Sequence, residues 1–207
     1  MIFRTWASQS AANFQYRERK LNMIKIVPGR LQTSAAATLF DLANAVENAP
    51  DPARTVVTKT FASLQMMQKE SLSAELTEIL GKTCTAIYII KLGPDADPIA
   101  VRDALNRQKA ERLDDRAYPR INKVPIGEYM YVGSSSRGDC VKRLLEHFGF
   151  GYNRTYSLHI SAWANGLVGD FEIEILKYTD IEPAVLCAIE DHLSKELKPL
   201  FGRRGSL

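Results

Sequence analysis

Three short segments rich in β-branched and aromatic residues constrain the fold of this chain more than any other feature of its sequence. They cover residues 83–90, 128–132 and 170–178. Segments of this length and composition are typical of β-strands, and the stretches between and after them carry apolar residues at helical spacing. We therefore predict an α/β (α+β) domain over residues 82–205, with a small mixed three-stranded sheet flanked by helices.

The first 81 residues differ from this domain because their apolar residues recur mostly at helical spacing. Residues 33–48 and 53–80 predict two helices with a proline-containing break between them, and residues 23–27 predict a short strand. Residues 1–81 are therefore predicted to form a helical extension. We expect it to serve packing, oligomerisation or substrate specificity, and the sequence leaves a homodimer open.

Composition restricts the function only weakly. The formal net charge of +3 permits a nucleic-acid partner without requiring one. The chain has no apolar run of about 18 residues that would predict a membrane span, and its N-terminus lacks the apolar core of a secretory signal. Its three cysteines lack the CxxC spacing of a structural zinc site. These features predict a cytoplasmic protein with no membrane partner.

Arg143 and His147 stand four residues apart in a helix predicted over residues 137–148, so they share one helical face. A guanidinium beside an imidazole suits a phosphate, since arginine binds it through two hydrogen bonds and histidine can donate or accept a proton. For the pair taken alone, a solvated polar face is the commoner explanation.

Glu190 interrupts the apolar stripe of the last predicted helix, between Leu186 and Leu193. A carboxylate in such a place is costly unless it is paired or binds a metal. Glu190 is therefore a candidate ligand for a hard cation such as Mg²⁺, and the alternative is a rim carboxylate paired with a nearby Arg or Lys. Tyr88 and Tyr131 lie on the first two predicted strands, where each is a candidate proton acceptor beside a metal-bound water or a packing aromatic.

These candidate residues stand in a distinctive order. Two tyrosine motifs lie on successive strands, an Arg/His helix follows the second motif, and a glutamate precedes a proline by nine residues. The residues are Ala86-Ile87-Tyr88, Tyr131-Val132-Gly133 followed by Ser134-Ser135, Arg143-Leu144-x-x-His147, Glu190, and Lys198-Pro199-Leu200-Phe201-Gly202. In this order and spacing, residues 82–205 resemble the GIY-YIG nuclease family.

Three features depart from that family's pattern. Ala86 replaces the first glycine, and Gly202 stands where many members have an asparagine that orients the site. A long insertion, residues 93–127, separates the two tyrosine motifs, where typical members have a short link. Its mixed charge suits either a solvated helix or an element that contacts DNA, and we favour DNA contact because the insertion would lie at the mouth of the site. Its basic residues are Arg102, Arg107, Lys109, Arg112, Arg116, Arg120 and Lys123.

The resemblance implies an endonuclease that hydrolyses DNA phosphodiester bonds and depends on a divalent metal, Mg²⁺ or Mn²⁺. It implies that Glu190 binds the metal, that Tyr88 activates the attacking water and that Arg143 holds the phosphate. His147 would assist proton transfer or position Tyr88, and Tyr131 would complete the polar wall. We expect further substrate contacts from Gly133, Ser134, Ser135 and Lys142.

Several functions share these residues. A restriction or defence nuclease acting on DNA is the leading prediction, and RNA stays open as a substrate. A structure-specific repair or recombination nuclease would have the same site and a different substrate. Gly202 favours a catalytically silent nucleic-acid-binding module on the same fold, and an unrelated α/β protein with chance matches is the fourth possibility.

Overall fold

The computed structural model describes residues 28–111 and 114–202. Two compact units meet in the sequence between Ala43 and Asn44. Helix α1 (Pro28–Glu47) supplies what is described of the first unit, and its last turn belongs to the second. This helix confirms the prediction over residues 33–48, with an earlier start. The strand predicted over residues 23–27 lies outside the described residues.

The second unit is built on a four-stranded sheet with the strand order β1-β4-β2-β3, in which every neighbouring pair is antiparallel. The mixed α and β content is as predicted, but the sheet has four strands rather than three and is antiparallel rather than mixed. The strands are β1 (Ala53–Thr60), β2 (Thr85–Leu92), β3 (Tyr129–Ser135) and β4 (Asp170–Tyr178). The helices are α2 (Phe61–Met66), α3 (Lys69–Leu80), α4 (Pro98–Glu111), α5 (Cys140–Phe148), α6 (Ile160–Trp163) and α7 (Pro183–Leu197).

Strand β1 is the additional strand, and it corrects the prediction of one helix over residues 53–80. It pairs with β4 along its whole length, from Ala53 opposite Lys177 to Thr60 opposite Asp170. Its sequence, ARTVVTKT, is rich in β-branched residues, which favour extended backbone. The unit therefore takes in residues on both sides of the boundary predicted between residues 81 and 82.

The sheet has two buried faces because successive side chains of a strand point to opposite sides. Tyr88 of β2 belongs to the larger core, to which α5 contributes Leu144 and Phe148. Ile87 belongs to a smaller core on the opposite face, to which α7 contributes Leu186. Helices α5 and α7 thus cover opposite faces of the sheet, and both pack near the edge strand β3.

The insertion packs onto the end of the domain. The sequence of residues 98–113 predicts a charged helix, and α4 confirms it. Arg112 falls outside the described residues. The Asn122 backbone N–H donates to the Leu200 carbonyl at 2.8 Å, and the Gly202 N–H donates to the Arg120 carbonyl at 2.9 Å. These bonds hold residues 120–122 against residues 200–202. In the part of the chain that is described, no helix is both long and apolar enough to cross a membrane.

Candidate active site

Tyr88 on β2 and His147 on α5 form a buried hydrogen-bonded pair. Their side chains are 1% and 0% exposed, and Tyr88 Oη lies 3.0 Å from His147 Nε2. On the other side of the imidazole, the Leu158 backbone N–H donates to Nδ1 at 3.2 Å. Since Nδ1 is an acceptor, the neutral ring carries its proton on Nε2 and donates it to the Tyr88 oxygen.

The buried surroundings favour the uncharged form of both groups. Burial lowers the pKa of His147 well below its usual value, and the charge of Arg143 lowers it further. Burial raises the pKa of Tyr88 well above its usual value, and Tyr131 adds to that rise while Arg143 opposes it. In the protein by itself, therefore, a neutral phenol accepts a hydrogen bond from a neutral imidazole.

Tyr131 on β3 packs against this pair. Its ring centroid lies 4.5 Å from that of His147 and 6.3 Å from that of the nearly parallel Tyr88 ring. Gly133 lies opposite Tyr88 in the strand register, and a Cβ added there would lie 2.7 Å from both Tyr88 Oη and Tyr131 Cε1. The glycine of the second motif is therefore required by the close approach of the two phenol rings. Burial raises the pKa of Tyr131 to about 12.

Arg143 stands beside the two phenols and is held by Glu146, a carboxylate that was not among the predicted site residues. Its Nη1 donates to Oε2 of Glu146, three residues along α5, and the Glu146 side chain is 3% exposed. Burial opposes the charge of Arg143, but Tyr88 and Glu146 favour it, so its pKa is raised. Arg143 is thus a fixed, partly exposed cation, and the i, i+3 spacing of Glu146 is the signal that would have revealed its partner.

Glu190 approaches from α7, on the opposite face of β3. The Ser134 hydroxyl donates to Glu190 Oε2 at 2.5 Å. Ser134 follows Gly133 directly, so its side chain points away from the face on which Tyr131 lies. The charge of Glu190 contributes to the raised pKa of both Tyr88 and Tyr131, so the carboxylate is electrostatically coupled to both phenols. The edge of β3 therefore lies between the predicted metal ligand and the tyrosines.

The other two predicted substrate contacts lie apart from this group. Ser135 is buried, and its hydroxyl donates to Asp139 Oδ1 at 2.6 Å, at the start of α5. Lys142 is on the exposed side of α5. The structure therefore brings together Tyr88, Tyr131, Gly133, Ser134, Arg143, His147 and Glu190.

Tyr131 and Arg143 lie in a cleft of about 1040 Å³ that opens to solvent. One wall comes from the insertion, with Lys109 and residues 118–120, and the other from residues 154–156. Its ten lining residues include four cations and no carboxylate; the cations are Lys109, Arg120, Arg143 and Arg154. Such a cleft attracts a polyanion to Arg143. Sequence periodicity does not decide between a strand and a helix for residues 154–163, so the second wall was not predicted.

Gly202 closes the cleft where the resemblance leads one to expect an asparagine. Its φ is +109°, and an added Cβ would lie 2.9 Å from Tyr131 Cε2. Backbone conformation and ring contact both favour glycine here, so this position is adapted to the packing of Tyr131.

A metal at Glu190 would have few protein ligands. No group of three or more His, Cys, Asp or Glu side chains suited to a metal occurs in residues 28–111 and 114–202. The single carboxylate of Glu190 does not suit Zn²⁺, but it fits Mg²⁺, which is often held by one or two carboxylates together with waters and substrate phosphates.

No protein-family model, curated protein or solved structure matches the chain.

Proposed function

We propose that the unit containing the four-stranded sheet is a divalent-metal-dependent endonuclease that hydrolyses phosphodiester bonds in DNA, as in the GIY-YIG nucleases that it resembles. One observation carries the proposal. The buried Tyr88–His147 pair, Tyr131, Arg143 and Glu190 meet at one edge of the sheet, beside a cleft lined by basic residues.

In this account Tyr88 accepts a proton from the attacking water. His147 Nε2–H donates to the Tyr88 oxygen, and a hydrogen bond of this kind stabilises the phenolate more than the phenol. The Leu158 N–H fixes the required tautomer, so His147 acts by positioning and stabilising Tyr88. A nearby divalent cation would lower the raised pKa of Tyr88, so that the phenolate forms at a lower pH.

Arg143, which lines the cleft, would bind the scissile phosphate. The bond between its Nη1 and Glu146 sets the plane of the guanidinium and leaves other N–H groups for phosphate oxygens. The fixed charge would then balance the negative charge that develops as water oxygen attacks phosphorus and the bond to the leaving oxygen breaks.

Glu190 would hold Mg²⁺ or Mn²⁺, with Ser134 fixing one carboxylate oxygen. When bound, the ion supplies Lewis-acid stabilisation of the phosphate and the leaving oxygen.

Cleavage of supercoiled plasmid, of linear duplex and of a duplex with a single-stranded flap in Mg²⁺, with EDTA as the metal-free reference, tests the proposal. The wild type should cut only with metal, and Glu190→Gln should slow cutting by about 10²–10⁴-fold. Glu196→Gln is the matched control, since Glu196 is an exposed carboxylate on the same helix. Metal-independent cutting, or equal rates for wild type and Glu190→Gln, would show that the proposal is wrong.

Gly202 favours a second candidate, a nucleic-acid-binding module that does not cut, because glycine lacks the side chain expected to orient the site. This candidate predicts DNA binding that weakens steeply with salt, together with no metal-dependent cleavage.

A further inference from the structure

The wall formed by residues 154–156 combines an exposed aromatic ring with an exposed cation. Tyr156 lines the cleft and is 73% exposed, although a tyrosine of a folded protein usually packs most of its ring. Arg154 lines the same wall and is exposed. Exposed aromatic rings beside cations are the elements on which unpaired bases stack while their phosphates are neutralised.

Among residues 28–111 and 114–202, the ion pair of Arg143 with Glu146 is the one ion pair formed by a cation of the cleft. Within the described ranges, neither Arg120 nor Arg154 forms an ion pair, whereas Arg116 of the same insertion is paired with Asp114 at 2.8 Å. Lys109 donates to the Pro119 carbonyl at 2.6 Å and so stands fixed at the cleft. The distribution of charge favours a ligand with several phosphates along one path.

The volume of the cleft suits a few nucleotides of one strand. Arg143 is 28% exposed and lines the cleft together with residues 118–120 and residues 154–156. The volume of about 1040 Å³ is close to the upper end of the range for small-molecule pockets, roughly 300–1,000 Å³. A space of that size takes a few nucleotides, and a duplex would have to bring its second strand between the same walls.

The two walls are tied together. The Ala117 N–H donates to the Asn153 carbonyl at 2.8 Å, and Asn153 Nδ2 donates to Asp115 Oδ1 at 3.2 Å. These bonds join the insertion to the segment that carries Arg154 and Tyr156, so the separation of the walls is set before a ligand arrives.

We infer that this cleft binds an unpaired DNA strand, with one base stacked on Tyr156 and its phosphates beside Arg120 and Arg154, and leads the next phosphate to Arg143. The inference rests on the proposed nuclease function and assigns its substrate class: DNA with a single-stranded flap, gap or end at the cut.

Binding can be measured apart from cleavage by fluorescence anisotropy in EDTA. The probes are a labelled 12-nucleotide single strand and the blunt duplex of the same sequence. The wild type should bind the single strand more tightly than the duplex. Tyr156→Ala should weaken single-strand binding by about 5- to 150-fold, which is the loss of one stacked base. Tyr152→Ala, a 65% exposed tyrosine nearby in sequence that does not line the cleft, is the matched control and should bind as the wild type does.

The role of the cation has its own test. Arg154→Gln should reduce the steepness of the plot of log affinity against log salt by about 0.7 for the single strand, and Arg154→Lys should retain it. An unchanged slope for Arg154→Gln would overturn the placement of a phosphate beside Arg154.

The outcomes separate the inference from the proposed function. Tighter binding of the duplex, or equal effects of Tyr156→Ala and Tyr152→Ala, would overturn the inference even if Mg²⁺-dependent cleavage of duplex were observed. Tyr156-dependent binding of the single strand with no cleavage of a flapped duplex in Mg²⁺ would overturn the nuclease and leave the binding site standing. Tighter binding of the RNA strand of the same sequence would overturn the assignment to DNA.

Discussion

Replacement of Tyr88 by Phe removes one oxygen atom from the centre of the candidate site. That oxygen lies 3.0 Å from Nε2 of His147, a side chain with 0% exposure. The imidazole cannot turn its other nitrogen towards the gap without losing the Leu158 N–H, so its Nε2–H would be left buried without an acceptor. The expected loss in the free energy of unfolding is about 1–3 kcal/mol. The expected loss in cleavage rate is about 10²–10⁴-fold, since the proton acceptor is gone.

Two assays separate these effects. Urea denaturation should show a lower midpoint with an unchanged slope, and single-turnover cleavage with saturating Mg²⁺ should show the loss of rate at a temperature where the variant is fully folded. Tyr178→Phe makes the same chemical change at a buried tyrosine at the end of β4, and it should leave the rate unchanged. A folded Tyr88→Phe protein that cuts as fast as the wild type would refute the assignment of Tyr88 as proton acceptor.

Three further predictions follow from the same geometry. The pKa of His147 is lower in the folded than in the unfolded protein, so the free energy of unfolding should fall as the pH drops below about 6.5. His147→Gln should reduce that pH dependence by up to about 1.4 kcal/mol per pH unit, and urea unfolding at pH 7.5 and 5.5 measures it. Gly133→Ala places a methyl group 2.7 Å from Tyr88 Oη, so it should lower the free energy of unfolding by about 1–3 kcal/mol and slow cleavage. Gly127→Ala is the control: a Cβ there meets nothing within 4 Å, so neither the stability nor the cleavage rate should change. Gly202→Asn should lower stability by on the order of 1–3 kcal/mol without raising the cleavage rate, because φ is +109° and Tyr131 fills the space; a faster and equally stable variant would show that the missing asparagine limits the site.

The sequence predicted those strands whose pattern is local. Strand β4 has the predicted bounds because Phe171, Ile173 and Ile175 alternate with charged residues. Strand β1 was missed because the spacing of Val57, Phe61 and Leu64 also fits a helical stripe. Thr60 ends the strand and caps α2 by accepting a hydrogen bond from the Ser63 N–H at 3.0 Å. Pairing with β4 favours the strand over the helix for residues 53–60. That pairing joins residues more than a hundred positions apart, which no short window contains.

The candidate site shows the same division between local and distant information. The i, i+4 spacing of Arg143 and His147 predicts a shared helical face, and the structure places both beside the tyrosines. The Leu158 N–H that sets the His147 tautomer comes from the backbone of an irregular segment, so the side-chain pattern does not indicate it. Tyr156 on the second cleft wall was likewise not predicted, since an exposed aromatic residue indicates a binding site only when cations lie around it in the folded chain.

In the proposed reaction Tyr88 and Glu190, from opposite faces of the sheet, act in the hydrolysis of one phosphodiester bond. A double-mutant cycle of single-turnover cleavage rates with Tyr88→Phe, Glu190→Gln and the combined variant tests it most directly. Groups that act as a unit lose most of their joint effect with the first substitution, so the combined variant should cut about as slowly as the slower single variant. Losses that multiply would mean that the phenol and the carboxylate work independently, and the claim of a shared active site would be contradicted.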